Sequence, residues 1–109
     1  MMNQVILVGR LTKDPEVITL DSGKTVLNIL LAVPRPYKNE DGCYETDFID
    51  CELWNAVADT TSEYCHKGDM IGVKGKIKTD YYEKDDEKRK VMSVVAERIT
   101  FLSSAHATI

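Results

Sequence analysis

The stretch Thr46-Asp47-Phe48-Ile49-Asp50-Cys51-Glu52-Leu53-Trp54 alternates with period two, the pattern of a half-buried β-strand. Ile49, Cys51 and Leu53 fall on one face, the apolar one. Phe48, Asp50, Glu52 and Trp54 fall on the other, which is polar yet carries two large rings. Large apolar groups left on an otherwise polar face mark a binding surface. Phe48 and Trp54 are six residues apart, which is roughly 20 Å along an extended strand. That span suits a ligand made of several flat units. Cover by a second layer or by a partner subunit is the competing explanation for either ring.

The segments before this strand supply its partners. Thr25 to Val33 reads as a strand with Leu27, Ile29, Leu31 and Val33 on one apolar face. Between the two strands lies Pro34-Arg35-Pro36-Tyr37-Lys38-Asn39-Glu40-Asp41-Gly42, a loop whose prolines stop the ladder and whose polar tip forms a finger. Arg35, Tyr37 and Lys38 make a basic and aromatic cluster at its base. Asn3 to Leu11 is a nearly continuous apolar run, expected as a strand buried on both faces with a bulge or bend at Gly9. Glu16 to Leu20 resumes extended structure, and Asp21 to Lys24 is a hairpin turn with Gly23 as the positive-φ residue.

After Trp54 the period changes. Ala56 to Lys67 reads as a short helix with Val57, Thr61, Tyr64 and Cys65 on one face and a stop at Lys67-Gly68. Met70 to Tyr82 is again a strand. Ile71, Val73 and Ile77 are expected to face the core, while Lys74, Lys76, Lys78 and Tyr82 form a basic stripe on the other side. Glu83 to Lys90 reads as a charged hairpin tip and Val91 to Leu102 as the last strand. Three strands, one helix and two strands is the order expected of an OB-fold, an all-β five-stranded barrel with one short helix. A small sandwich is the structural alternative. Residues 1–103 make one domain, with a frayed C-terminus over 104–109.

A chain of 109 residues can bury roughly 65% of its unfolded surface, enough for one core without staples. The three cysteines, Cys43, Cys51 and Cys65, contain no C-x-x-C pair, so neither a disulfide framework nor a zinc knuckle is indicated. Apolar runs fall short of a membrane span and no signal-peptide pattern opens the chain, which points to the cytoplasm. Net charge is −4, a weak argument against a polyanionic ligand unless cations are gathered on one face.

They are gathered. The strand of Phe48 and Trp54, the loop of Arg35, Tyr37 and Lys38, and the stripe of Lys74, Lys76, Lys78 and Tyr82 share one mixture of rings and cations. Single-stranded nucleic acid is held by that mixture: bases stack on rings while cations track the backbone. Catalytic readings fail. Gly23-Lys24-Thr25 resembles the end of a P-loop, but the required first glycine falls at Ile18 and a strand follows the turn. His66 and His106 are the only histidines and give no metal-ligand spacing. Asp47 lies on the opposite strand face from Asp50 and Glu52, so the three carboxylates cannot converge on a metal. No cofactor and no enzymatic activity are expected.

The segments NQVILVGRLTKDPE, LAVPRPYK, TDFIDCELW, YCHKGDMIGVKGKIKTDYY and VVAERITFL closely resemble the bacterial single-stranded DNA-binding protein family, from Asn3 to Leu102. The resemblance is to the shorter forms of that family. It implies an OB-fold, a homotetramer built as a dimer of dimers, and DNA wrapped over several subunits in replication, recombination or repair, at the nucleoid. The family's four stacking positions fall on Tyr37, Phe48, Trp54 and Tyr82. Tyrosine, phenylalanine and tyrosine stand at the first, second and fourth, where the family often has tryptophan, so stacking is retained but weaker. Basic positions along the DNA path fall on Arg10, Arg35, Lys38, Lys67, Lys76 and Lys78. Asp50 and Glu52 go against the binding face and favour an alternative, an oligomeric OB-fold adaptor that binds mainly protein. Single-stranded RNA is a third reading. Family members usually continue into a disordered linker and an acidic, apolar tip that recruits other enzymes. This sequence stops at Ala105-His106-Ala107-Thr108-Ile109, so tail-mediated recruitment is not carried over.

Overall fold

The computed structural model describes residues 1–104. Six strands and one helix follow in the order β1 (Val5–Leu11), β2 (Ile18–Thr19), β3 (Thr25–Lys38), β4 (Tyr44–Trp54), α1 (Asn55–Tyr64), β5 (Met70–Lys84) and β6 (Glu87–Ser103). The sheet runs β1-β5-β6-β4-β3-β2, and a further β1–β3 pairing closes it. Closure comes from Arg10 opposite Ala32 and Leu11 opposite Leu31 on one side. On the other side a short parallel pair sets Cys51 opposite Val94 and Glu52 opposite Val95. Leaving out the two-residue β2, five strands form a barrel with α1 between β4 and β5, the OB-fold arrangement. The frayed tail expected from residue 104 lies, beyond Ser104, outside the described residues.

Alternation fills the interior as expected on β3 and β4. Leu27, Ile29, Leu31, Cys51 and Leu53 are buried, joined by Leu11, Ile71, Val73, Val94 and Ala96. Gly23 takes φ 90° in the β2–β3 turn. Two glycines mark close approaches. A side chain at Gly9 would meet the Ala32 carbonyl oxygen at 2.5 Å, where β1 crosses onto β3. The β1–β5 register through Gly9 is regular, so the glycine serves close packing and not the expected bulge. At Gly75 a Cβ would sit 2.1 Å from the Val95 carbonyl oxygen. The register of β5 on β6 slips there, from Lys74 opposite Arg98 to Gly75 opposite Ala96.

Several expectations need correction. β1 is not buried on both faces: Ile6 is 71% exposed and Val8 is exposed too. Its outer side belongs to the β1–β5–β6 surface, and among the described residues no other layer covers that surface. The prolines do not stop β3, which runs on to Lys38 with Pro34 opposite Thr46 and an irregularity between Pro34 and Lys38. Among the described residues the other edge of β3 is unpaired beyond Ala32, so a missing N–H costs no ladder bond there. The charged hairpin tip expected over Glu83 to Lys90 is narrower than that. β5 and β6 continue as a ribbon to Lys84 opposite Glu87, and only Asp85 and Asp86 turn, both with positive φ. The helix ends at Tyr64, with Cys65 extended, and Tyr64 is exposed although Thr61 and Cys65 are buried. Ile77 keeps its inward register opposite Val94, but β1 ends at Val5 opposite Gly75. It therefore stands at the open mouth of the barrel and is 41% exposed.

Candidate nucleic-acid interface

The outer face of β4 is built by the strand register. Phe48, Asp50, Glu52 and Trp54 stand opposite Ala32, Leu30, Asn28 and Val26 of β3. Across the parallel pair, Glu52 aligns with Val95, and Val95 with Lys76 of β5. From Lys76 the same side of the β5–β6 ribbon carries Lys78, Asp80 and Tyr82. Phe48, Trp54, Lys76, Lys78 and Tyr82 thus share one continuous surface. Phe48 is 61% exposed and Tyr82 47%. Trp54 is half-buried, at the point where β4 turns sharply into α1. Asn55 makes that turn with φ 52°, a conformation asparagine tolerates better than most residues, and its Oδ1 accepts the Thr25 N–H at 3.3 Å.

Trp54 is tied by its edge. Its Nε1–H donates to Glu52 Oε1, and Lys78 Nζ donates to the same oxygen at 3.1 Å. Lys78 also meets Asp80 Oδ2 at 3.3 Å. The hydrogen bond to Glu52, more than that to Asp80, raises the Lys78 pKa above its ordinary value. The Glu52 side chain is only 15% exposed, so this acid faces the lysine and the indole of its own chain. An indole N–H lies in the ring plane, and a bond there leaves the stacking faces free.

The finger divides the remaining residues. Lys38 stands opposite Tyr44, and its ammonium lies 5.7 Å from the centre of the Tyr44 ring. By register Tyr44 shares the side of Phe48, and it is well exposed. Sequence reasoning missed it by starting the strand at Thr46; its even spacing from Phe48 was the available signal. Arg35 goes elsewhere. It bonds Asp47 at 3.0 Å and Glu45 at 2.6 Å, and both acids lie on the opposite side of β4 from Phe48. The Asp47 hydrogen bond raises the Arg35 pKa, and the same bond holds the Asp47 carboxyl below its ordinary value. Tyr37, 62% exposed, follows Arg35 by two residues and belongs with it. Arg10 is on the outer side of β1 and donates to the Gly68 carbonyl at 2.9 Å. Lys67 sits in the adjoining turn, where its backbone N–H meets Asp14. Lys74 aligns with Ile6 and Arg98 on the β1–β5–β6 surface. The structure therefore gathers three of the four expected rings with Lys76 and Lys78, adds Tyr44 beside Lys38, and sets Tyr37, Arg35, Arg10, Lys67 and Lys74 around that centre.

A closed OB-fold barrel with rings and lysines on the outer face of its central strands belongs to a class of fold that holds oligonucleotides. Residues 2–102 match the sequence model of the single-strand binding protein family, and the chain belongs to that family. It is 47% identical over 105 residues to single-stranded DNA-binding protein 3 of Listeria innocua, covering 95% of this chain and 66% of that one. It is 43% identical over 103 residues to single-stranded DNA-binding protein B of Bacillus subtilis, covering 94% and 91%. A crystal structure of a deletion variant of the Thermus aquaticus single-stranded DNA binding protein superposes with a TM-score of 0.78 at 30% identity, over 94% of this chain and 51% of that one. The chain thus spans about two thirds of the Listeria relative, nearly all of the Bacillus one and half of the Thermus one. Among the described residues no helix is long and apolar enough to cross a membrane.

Proposed function

We propose that this barrel binds single-stranded DNA without sequence preference and without catalysis, protecting it during replication, recombination or repair in the cytoplasm at the nucleoid. The observation that carries this reading is the single surface that Phe48, Trp54 and Tyr82 share with Lys76 and Lys78. Bases would stack on those rings, with Tyr37 and Tyr44 extending the path along the finger. Lys38, Lys76 and Lys78 would meet phosphates along the centre of the path, and Arg10, Arg35, Lys67 and Lys74 at its margins. Stacking contributes roughly 1–3 kcal/mol per base and tolerates any sequence, because every base has a π-face. The names of the relatives point the same way. The working form is a homotetramer, a dimer of dimers, in which a second subunit covers the exposed Ile6 and Val8.

The test uses the only tryptophan, Trp54, as its own reporter. Titration with oligo-thymidine should quench its fluorescence to saturation at low salt and weakly at high salt. Absence of quenching at low salt in the folded protein would refute the assignment.

A further inference from the structure

We propose that Glu52 is a built-in competitor of the DNA backbone, holding Lys78 in a clasp that lowers affinity for single-stranded DNA and flattens its salt dependence. The proposal rests on the reading of this face as the DNA site. Its geometry is specific. One carboxylate oxygen accepts both from Lys78 Nζ at 3.1 Å and from the Trp54 indole. Asp80 Oδ2 meets the same ammonium at 3.3 Å. A phosphate can use Lys78 only by displacing a carboxylate that is already charged, close and mostly shielded from water. Lys76, one turn of the pleat away, takes part in no ion pair among the described residues.

Glu52 has two opposed effects. Its bond to the indole edge fixes the ring without taking up a stacking face, which favours stacking. Its charge occupies Lys78, which opposes phosphate binding. Glu52→Gln separates them, because a glutamine carbonyl still accepts the indole N–H but carries no charge. A freed lysine that gains one phosphate contact should steepen the slope of log affinity against log salt by about 0.7. Extrapolated from about 1 M, that slope tightens binding about eightfold at about 50 mM salt and less than twofold at about 500 mM.

The experiment measures anisotropy of a labelled oligo-thymidine across that salt range for the wild type, E52Q, K78Q and the E52Q/K78Q pair. The expected result is tighter binding and a steeper slope in E52Q, with both gains lost in the K78Q background. Unchanged or weaker binding by E52Q overturns the proposal. So does a gain that persists without Lys78, since the carboxylate would then act on the DNA by general repulsion. Should E52Q fail to fold, K78Q against the wild type decides: a clasped Lys78 adds little to the slope, so K78Q should leave it nearly unchanged, and a slope shallower by about 0.7 overturns the proposal. Wild-type protein that does not bind at low salt refutes the DNA reading itself, a different outcome from wild-type binding that E52Q leaves unchanged.

Discussion

Replacing Gly75 by alanine should damage the barrel far more than the same change at Gly72, three residues earlier on β5. A Cβ at Gly75 would lie 2.1 Å from the Val95 carbonyl oxygen, 2.9 Å from its carbon and 3.1 Å from Ala96 Cα. All three are backbone atoms of β6, so no rotamer change relieves the clash. The strands must part by about 1 Å to restore contact distance, and that stretches the ladder bonds on either side of the register slip. Overpacking costs about 1–3 kcal/mol, and each weakened ladder bond adds about 1. A loss of about 3 kcal/mol or more follows, against a total stability of about 5–15 for a domain of this kind. At Gly72 the nearest atoms are Thr100 Cβ at 3.7 Å and Leu102 Cδ1 at 3.8 Å, which is ordinary contact. Gly72→Ala should therefore stay within about 1 kcal/mol of the wild type, on the stabilising side because alanine reduces the entropy of the unfolded chain. Urea denaturation reads both. With a slope of about 1.5 kcal/mol per molar, Gly75→Ala should lower the midpoint by about 2 M. Equal midpoints for the two variants would refute the claim that β5 and β6 touch backbone to backbone at this point. The consequence reaches the site, because Lys76 and Lys78 follow Gly75 directly and a parted ribbon moves them away from Glu52 and Trp54.

Two further outcomes concern the rings and the thiols. Trp54→Ala should weaken binding of labelled oligo-thymidine by about 1–3 kcal/mol in an anisotropy assay, and unchanged affinity would remove Trp54 from the site. Burial pushes the Cys51 thiol up to about 11 and raises that of Cys65 as well, whereas Cys43 is exposed at the finger tip. Native protein at about pH 8 should thus give one alkylated cysteine by mass spectrometry, at Cys43, and denatured protein three. The sign for stability follows: the native state keeps Cys51 protonated, so its contribution is intact below the ordinary thiol value. It is lost as the pH rises from there toward about 11.

The barrel was legible because its inward residues alternate where both strand neighbours are present, as at Ile29 opposite Cys51 and Leu31 opposite Ile49. Where one neighbour is missing, the code weakens. Ile77 has the right parity for the core but stands past the end of β1. Ile6 and Val8 look like core on hydrophobicity alone, yet they are exposed on the barrel's outer side. The ribbon over Glu83 to Lys90 has both faces in water, so no apolar period betrays it, and only the Asp85-Asp86 turn closes it. The candidate site divides on the same ground. Phe48 and Trp54 could be placed on one face from β4 alone. The meeting of Glu52 with Lys78 depends on the cross-barrel pairing of β4, β6 and β5, which is long-range and leaves no local trace. Arg35 parts from Phe48 because β3 does not stop at Val33; the strand continues, and register takes the side chain to Asp47.

That pairing resolves how an acidic chain can hold a polyanion and sets a value for the salt dependence. Seven cations stand along or beside the proposed path: Arg10, Arg35, Lys38, Lys67, Lys74, Lys76 and Lys78. If each met a phosphate, the slope of log affinity against log salt on an oligonucleotide covering one barrel would be about −5, at about −0.7 per contact. Arg35 is held by Glu45 and Asp47, and Lys78 by Glu52 and Asp80. Each phosphate gained at those two residues gives up an internal ion pair, so it releases little net counterion. Five effective contacts remain, and the slope should lie near −3.5. More of the affinity then comes from the rings, which salt screens little. A measured slope near −5 would show that Arg35 and Lys78 are not held by their own carboxylates in the free protein, and the view of the site as internally neutralised would be wrong.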